Sequence, residues 1–209
     1  MQSRNYTPHP VGWIETQLDE HHIDFLWKKI KESPKKSVKD NLIGNISQSF
    51  AIKDSSNFFY KKVLIPHIQR YRNSFGGDPI RNYLFGNVEM CLNGFWCNYQ
   101  YQTEFNPYHH HGGVYSFVVW LKIPTKWEEQ HNLPFLDGVN DAYRKASDFE
   151  FEYSDMLGDI RNHSYRLDSS REGTMLFFPA ALRHTVYPFF NCDEPRVSVS
   201  GNVWFKSKK

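Results

Sequence analysis

The sequence predicts a mainly β protein of the α+β class, in which N-terminal helices brace a double-stranded β-helix, or jelly-roll, core. Apolar residues recur with helix-like spacing in the first third of the 209-residue chain. After a Gly-Gly-Asp-Pro turn at 76–79, short aromatic and β-branched runs alternate with turn residues. The 6 Trp, 12 Tyr and 17 Phe agree with a β-rich core. We therefore predict a single domain, 1–209, with a helical part (1–77) and a jelly-roll part (78–209).

The helical part contains two predicted helices. The first spans residues 18–32, where the apolar stripe is imperfect, and Ser33-Pro34 ends it. The second starts at Ser56-Asn57 and continues through Tyr71. Helices of this kind pack on an outer face of a sheet, and we expect these two to do so.

The jelly-roll part consists of short predicted strands, whose number and spacing suit a double-stranded β-helix. Between Pro124 and Asp148 the chain is polar and irregular, which is compatible with a lid over the site or with an ordinary surface loop. Glu150 and Glu152 alternate with aromatic residues, a pattern that predicts a half-solvated strand without a catalytic role. The predicted strands are 87–92, 95–103, 114–123, 148–154, 174–178, 185–189 and 196–205.

Composition narrows the class of protein. A net charge of +2 argues against nucleic acid as an obligatory partner. Cys91, Cys97 and Cys192 are odd in number and are not spaced as a zinc clip or a disulfide framework, which favours a reducing cytosol. The sequence has no signal peptide and no apolar stretch long enough to span a membrane. We expect a soluble cytoplasmic protein that needs no membrane.

The motif His109-His110-His111 carries the main functional signal. Residues i and i+2 of an extended strand share a face, so His109 and His111 can converge on one ion while His110 points away. His184 is the best candidate for a third ligand, because its segment is otherwise too apolar to require a histidine. Histidines grouped on one side of a transition metal leave other coordination positions open. This is the layout of an oxygen-activating iron site.

Arg196 begins a segment that suits an anionic ligand. Its planar guanidinium can bind a dicarboxylate through two parallel hydrogen bonds. The alternation that follows places Arg196, Ser198, Ser200 and Asn202 on one strand face and the valines on the other. A polar strand face requires either bulk water or a bound anionic ligand.

Three stretches resemble the iron(II)/2-oxoglutarate-dependent oxygenases: residues 106–124, around the histidine triplet, 172–188, around His184, and 196–202. A weaker match at 40–46 extends the resemblance over most of the chain. The likeness is closest to members of marine cyanophage type, encoded by tailed phages of marine bacteria, and is prolyl-hydroxylase-like. The resemblance implies the jelly-roll fold and, if the phage likeness holds, the cytoplasm of an infected host.

The resemblance also implies a mechanism and its residues. Fe(II) would be held by His109, His111 and His184, while Arg196 and Ser198 would bind the distal carboxylate of 2-oxoglutarate (2OG). Tyr99 lies where a prolyl-hydroxylase-like relative uses a tyrosine on the cosubstrate. The partners would be 2OG, O₂ and a peptidyl or small-molecule substrate. A C–H bond of that substrate would be hydroxylated, with release of succinate and CO₂.

One departure from the family motif leaves alternatives open. The usual motif is His-x-Asp or His-x-Glu, whereas His111 stands at the carboxylate position, so that the iron has one negative charge fewer around it. Three-histidine iron dioxygenases exist. A second alignment starts at His111 and finds Gly113, which resembles the halogenase variant. A cupin-like metalloenzyme independent of 2OG and a non-catalytic jelly-roll binding or virion module are the competing classes.

Overall fold

The computed structural model describes residues 11–79 and 89–206. Within these ranges the strands form two antiparallel sheets, so the mainly β jelly-roll prediction is confirmed. The first two residues of the predicted strand 87–92 lie outside the described residues. The strands are β1 (Ile14–Gln17), β2 (Gln48–Ala51), β3 (Met90–Gln100), β4 (Asn106–His109), β5 (Tyr115–Lys122), β6 (Phe149–Ser154), β7 (Ile160–Tyr165), β8 (Thr174–Pro179), β9 (Arg183–Val186) and β10 (Arg196–Phe205).

The two sheets differ in size. In the described part of the chain, the larger sheet has the strand order β1-β8-β5-β10-β3-β2 and the smaller one has the order β4-β9-β6-β7. The central strand β10 pairs with β3 on one side and with β5 on the other. The polar segment predicted around Arg196 therefore runs through the middle of the larger sheet.

The helices are α1 (Glu20–Glu32), α2 (Ile65–Phe75), which a π-helical turn at Tyr60–Leu64 precedes, and the short α3 (Trp127–His131). The predicted start of the second helix is confirmed, because Ser56 Oγ accepts a hydrogen bond from the Phe58 amide at 3.2 Å. Helix α2 ends at Gly76, whose φ of 74° is the left-handed conformation that suits glycine. No helix of the described ranges combines the length and apolarity that crossing a bilayer requires.

Two hydrophobic layers follow from the alternation of side chains along the central strands. Phe117 and Val119 of β5 face the helices and pack in the same cluster as Leu26 of α1 and Ile68 of α2. Val118 and Trp120 point the opposite way, into a second cluster with residues of the smaller sheet such as Phe151. Because β5 is covered on both faces, its residues 117–121 form an uninterrupted apolar run, as expected of a buried strand.

The predicted helical part is not purely helical. Its two short strands β1 and β2 join the larger sheet, where β1 pairs with β8 and β2 pairs with β3. Each has four residues, of which three are polar in β1 and two in β2, so no local periodicity distinguishes them from loop. The strands β4 and β7 were also not predicted. Conversely, the predicted strands 87–92 and 95–103 are parts of one strand, β3, because its pairing with β10 contains a bulge between Gly201 and Val203 instead of a turn.

Gly201 is required by packing at the centre of the larger sheet. A Cβ atom added there would lie 2.7 Å from the carbonyl oxygen of Gly94 and 2.8 Å from the ring of Phe117. We expect Gly201→Ala to lower the free energy of unfolding by ~1–3 kcal/mol, because neither neighbour can move without disturbing the sheet. Gly138→Ala is the matched control, since nothing lies within 4 Å of its added Cβ. Thermal denaturation of both variants measures the difference, and equal melting temperatures would contradict this packing.

Candidate active site

A cavity of about 660 Å³ opens between the two sheets. The inner faces of β3 and β10 form one wall, and His109 of β4 and His184 of β9 lie on the opposite wall. The segment from Val38 to Ile46 contributes residues to the rim. Thus the cavity receives both the histidines and the polar face of β10 that the sequence singled out.

The structure brings His109, His111 and His184 together. His109 and His184 are paired residues of β4 and β9, and their ring centroids are 4.2 Å apart. His111 lies just past the end of β4, where its backbone N–H donates to the Ala180 carbonyl at 2.8 Å. One ligand atom from each of the three side chains lies within 4.8 Å of the other two. His110 is exposed, as predicted for the middle residue of the triplet.

The protonation of these histidines fits a metal. The Nδ1 atoms of His109 and His184 lie 2.8 and 2.9 Å from the carbonyl oxygens of Pro107 and Leu182. A carbonyl only accepts, so each Nδ1 donates and each Nε2 keeps its lone pair. Burial lowers the pKa of His109, lowers that of His184 well below its usual range and, with neighbouring histidines, lowers that of His111 to about 4. Three neutral imidazoles are a donor set suited to a transition metal ion.

Arg196 lies on the same cavity, with 2% of its surface exposed. Its Nη2 donates to the Ser147 carbonyl at 2.9 Å and its Nη1 donates to Gln100 Oε1 at 3.3 Å, while its buried Nε has no partner. No carboxylate forms a salt bridge with it in the part of the chain that the structure describes. Burial lowers the pKa of Arg196 to about 9, although the Asp148 carboxylate acts in the opposite direction. A buried cation with an unpaired N–H fits a carboxylate ligand.

Residues 94–202 match a protein family described as "Putative 2OG-Fe(II) oxygenase". The chain belongs to this family. Family membership implies Fe(II) and 2OG, which agrees with the neutral histidine cluster and with the unpaired guanidinium N–H of Arg196. A comparison with curated protein sequences gives no significant match.

Several solved structures are similar in fold. An oxidoreductase of the 2OG-Fe(II) oxygenase family from Burkholderia pseudomallei has a TM-score of 0.54 at 13% identity, over 92% of this chain and 84% of that chain. A prolyl-4-hydroxylase from Pseudomonas putida has a TM-score of 0.50 at 14% identity, over 95% and 94%. The non-heme alpha-ketoglutarate-dependent epimerase SnoN from nogalamycin biosynthesis has a TM-score of 0.50 at 14% identity, over 94% and 79%. At these identities the likeness shows the fold.

The predicted polar face of β10 has the expected orientation in this 2OG-Fe(II) oxygenase. Arg196, Ser198, Ser200 and Asn202 line the cavity. Val197, Val199 and Val203 pack on the opposite side of the sheet, among the residues that the helices cover. The period of two along a strand was sufficient to predict this division.

Tyr99 does not reach the cavity. Its ring lies on the other face of β3, 6.2 Å from the Phe50 ring and 5.3 Å below the Lys35 ammonium. The structure thus contradicts its predicted contact with the cosubstrate. Its neighbours Asn98 and Gln100 face the cavity instead, and Ser49 Oγ donates to Asn98 Oδ1 at 2.7 Å. Counting by two from Trp96 along β3 could have identified them.

Two segments have functions in the site that the sequence did not indicate. Six residues between Val38 and Ile46 line the cavity, whereas the insertion between Pro124 and Asp148 supplies no described lining residue. That insertion contributes to the site through Ser147, which holds Arg196. In the described structure the insertion therefore supports Arg196 from outside the cavity.

Glu150 differs from its predicted half-solvated state, because only 2% of it is exposed. Tyr108 donates to its Oε1 at 2.5 Å, and the Lys145 ammonium lies 2.9 Å from its Oε2. Burial opposes ionisation of this carboxyl, but hydrogen bonds from Ser164, Tyr108 and Lys145 outweigh burial and hold its pKa below the usual value. Glu150 therefore fixes β4, the strand that carries His109, from its far side.

The alternative alignment through Gly113 has a structural explanation. The φ of Gly113 is 105°, and an added Cβ would lie 2.8 Å from the Val203 carbonyl oxygen. Packing of this loop against β10 therefore requires glycine at position 113, and a halide site is not needed to explain this glycine. His111, and not Gly113, lies in the histidine cluster.

Arg196 generates a prediction about ligand-dependent stability. In EDTA, 2OG should raise the melting temperature of the native protein, because a carboxylate pairs with a buried cation that is otherwise unpaired; the gain is ~2.7 kcal/mol at a hundredfold excess over Kd. Arg196→Met should abolish this shift, since it removes the guanidinium at similar volume, and should lower the free energy of unfolding by ~1–3 kcal/mol, because Ser147 and Gln100 lose their hydrogen-bond donor. Arg171→Met, at an exposed ion pair with Glu15, is the control that keeps the shift. An undiminished shift in Arg196→Met would refute this role.

Proposed function

We propose that this protein is an Fe(II)- and 2OG-dependent dioxygenase that hydroxylates a C–H bond of a peptidyl or small-molecule substrate. The overall reaction balances as R–H, O₂ and 2OG giving R–OH, succinate and CO₂. The observation that carries the proposal is the presence, in one cavity, of three neutral imidazoles and a buried guanidinium with an unpaired N–H. The imidazoles suit the metal, and the guanidinium suits a carboxylate of the cosubstrate.

His109, His111 and His184 would hold Fe(II). Bound there, the iron would supply the activation of O₂, which amino-acid side chains cannot provide. The carbonyls of Pro107 and Leu182 fix the ring orientations of His109 and His184 before metal binds, so less ordering accompanies binding.

Arg196 would anchor the distal carboxylate of 2OG, together with Ser198, two residues along the same strand face. Gln100 and Ser147 hold the guanidinium in place through hydrogen bonds that leave its Nε free. The apolar side chains Trp120, Phe149 and Phe178 also line the cavity and lower the polarity of that part of its wall. Low local polarity strengthens the attraction between the guanidinium and a carboxylate.

A second candidate function is oxygenation by a three-histidine metal centre that does not use 2OG. His111 favours it, because a neutral imidazole stands where the family motif has a carboxylate. This function predicts metal binding that is indifferent to 2OG. The unpaired N–H of Arg196 favours the 2OG-dependent reaction over it.

An anaerobic titration tests these functions. Fe(II) is added to the metal-free protein, then 2OG, while the weak visible charge-transfer band of an iron-bound 2-oxo acid is followed. We expect the band to appear with one equivalent of each. Iron binding without the band would support the three-histidine enzyme, and absence of iron binding would refute both functions and favour a non-catalytic jelly-roll module.

Variants should separate the two halves of the site. We expect His184→Ala to weaken Fe(II) binding by more than ~100-fold. Loss of a residue that only hydrogen-bonds to a metal ligand can already cost that much, and this variant removes a ligand itself. Arg196→Ala should leave Fe(II) binding unchanged and weaken 2OG binding. His110→Ala is the matched control, since its side chain is exposed beside the cluster. Equal loss of iron and 2OG in both His184→Ala and Arg196→Ala would count against these assignments.

A second set of variants tests position 111. His111→Asp, or the longer His111→Glu, restores the usual carboxylate, and we expect at least one of them to bind Fe(II) about tenfold more tightly than the native protein, since an opposite charge is added next to the ion. His111→Ala should bind iron more weakly. Isothermal titration under nitrogen gives the three affinities. If all three variants bind iron like the native protein, His111 is not a ligand.

A further inference from the structure

Beyond His111, away from Arg196, the cavity has a part that neither the metal nor 2OG would occupy. The Trp96 ring lies 6.0 Å from the His111 ring. The Trp204 indole lies beside the next residue, since a Cβ added at Gly112 would meet it at 2.7 Å. We call the region formed by Trp96, Asn202 and Trp204 the distal subsite. It adjoins the histidine cluster, where a substrate bond must be placed to react.

The distal subsite is compact. A Cβ added at Gly94 would lie 3.4 Å from the Trp96 ring and 3.8 Å from Asn202 Nδ2. These two side chains therefore border one small volume that the glycine leaves open. Trp204 is 39% exposed, so this end of the cavity opens to solvent. Two indole rings on one opening suit a flat or ring-shaped group, which buries much area against them.

Charge restricts the ligand further. Among the described residues that line the cavity, Arg196 is the one Asp, Glu, Lys or Arg side chain. With a 2OG carboxylate on Arg196, no side-chain charge in the lining remains to pair with a charged substrate. A carboxylate, phosphate or ammonium placed in the distal subsite would lose hydration without gaining an oppositely charged side chain from the described lining. An uncharged group avoids this cost.

The amides of the wall indicate which hydrogen-bonding groups fit. Ser116 Oγ donates to Asn202 Oδ1 at 2.7 Å, and Ser49 Oγ donates to Asn98 Oδ1 at 2.7 Å. Both asparagines thus have their oxygen engaged, and their Nδ2 donors remain for a ligand. The wall therefore favours ligand groups that accept hydrogen bonds, such as carbonyl or hydroxyl oxygens.

We propose that the distal subsite binds the reacting part of the substrate as an uncharged, ring-shaped group that bears hydrogen-bond acceptors, in contact with Trp96 and Trp204 and held by Asn202. This inference rests on the proposed function for the position of the reacting bond. The cavity volume of about 660 Å³ is in the range of ~300–1,000 Å³ that holds drug-sized ligands, so a ring can bind beside the cosubstrate.

The test uses matched pairs of probes that differ by one charged group. These are thymidine and its 5′-monophosphate, N-acetylprolinamide and N-acetylproline, and methyl glucoside and methyl glucuronide. Each is titrated anaerobically into the full chain loaded with Fe(II) and 2OG, and the shift of the charge-transfer band gives Kd. Succinate release after admission of air gives turnover.

We expect the neutral member of at least one pair to bind about tenfold or more tightly than its charged partner, as an unpaired buried charge requires. The pair that responds shows whether the ring belongs to a nucleoside, a proline derivative or a sugar. Tighter or equal binding of the charged members, or no response to any neutral probe, would overturn the proposal. If the protein loaded with Fe(II) and 2OG shows no charge-transfer band before any probe is added, the outcome is different, because this result refutes the proposed function itself.

Variants locate the binding. Trp204→Ala and Asn202→Ala should each weaken the neutral probe by about tenfold, from loss of ring contact and of the amide donor, while the 2OG affinity stays within twofold. Phe135→Ala is the matched control, because its ring is 61% exposed and lies outside the cavity lining. Should Trp204→Ala fail to fold, Trp204→Phe and Asn202→Ala carry the test. Unchanged probe affinity in Asn202→Ala together with either Trp204 variant would overturn the assignment.

Discussion

The pairing of β4 with β9 is the constraint on which the site depends, because its register places His109 opposite His184. A slip of β4 by one residue would turn His109 to the far face of the smaller sheet, away from His184. The ladder of β4 is short and irregular, so other bonds hold the strand: Thr185 Oγ1 donates to the Asn106 carbonyl at 2.7 Å, and Tyr108 binds the buried Glu150. A carboxylate on the outer face of the sheet thereby stabilises the position of a histidine on the inner face.

The cavity that this pairing creates has an unusual charge balance. Its described lining contains neutral histidines and the cation Arg196 but no carboxylate. A divalent ion bound by imidazoles alone would keep its full charge, in the same region of low polarity as the guanidinium. Both charges then favour dianionic 2OG, whose two ends they would neutralise. The absence of a carboxylate ligand would thus weaken the binding of Fe(II) and strengthen the binding of 2OG. For this reason the affinity for Fe(II) and the affinity for 2OG are informative only when both are measured.

The sequence could predict those features of the site that depend on neighbouring residues of one strand, and could not predict those that depend on residues far apart in the chain. Alternation along β10 is local, so the cavity face of Arg196 and Ser198 followed from a period of two. The same period along β3 excludes Tyr99, whose neighbours Asn98 and Gln100 face the cavity instead. A position carried over from relatives therefore failed where local geometry would have succeeded.

Other features depend on contacts distant in sequence. Ser147 supports Arg196 across 49 residues, and Ser49 orients Asn98 across the same separation. The strands β1 and β2 are strands because β8 and β3 offer free edges, not because of their own four residues. No pattern within one segment encodes such partners, so these features required the structure.

The loop from His110 to Gly113 connects the histidine cluster to the distal subsite. His111 belongs to the cluster, while the next two residues pack against β10 and its Trp204. Glycine at 112 lets the indole approach to a distance at which any side chain would collide, and glycine at 113 has a backbone conformation that other residues rarely adopt. Because this loop is closely packed, His111 and the residues beside Trp204 cannot move independently of each other. The position of the His111 imidazole and the shape of the distal subsite are therefore set by the same four residues, which explains why glycines follow the histidines directly.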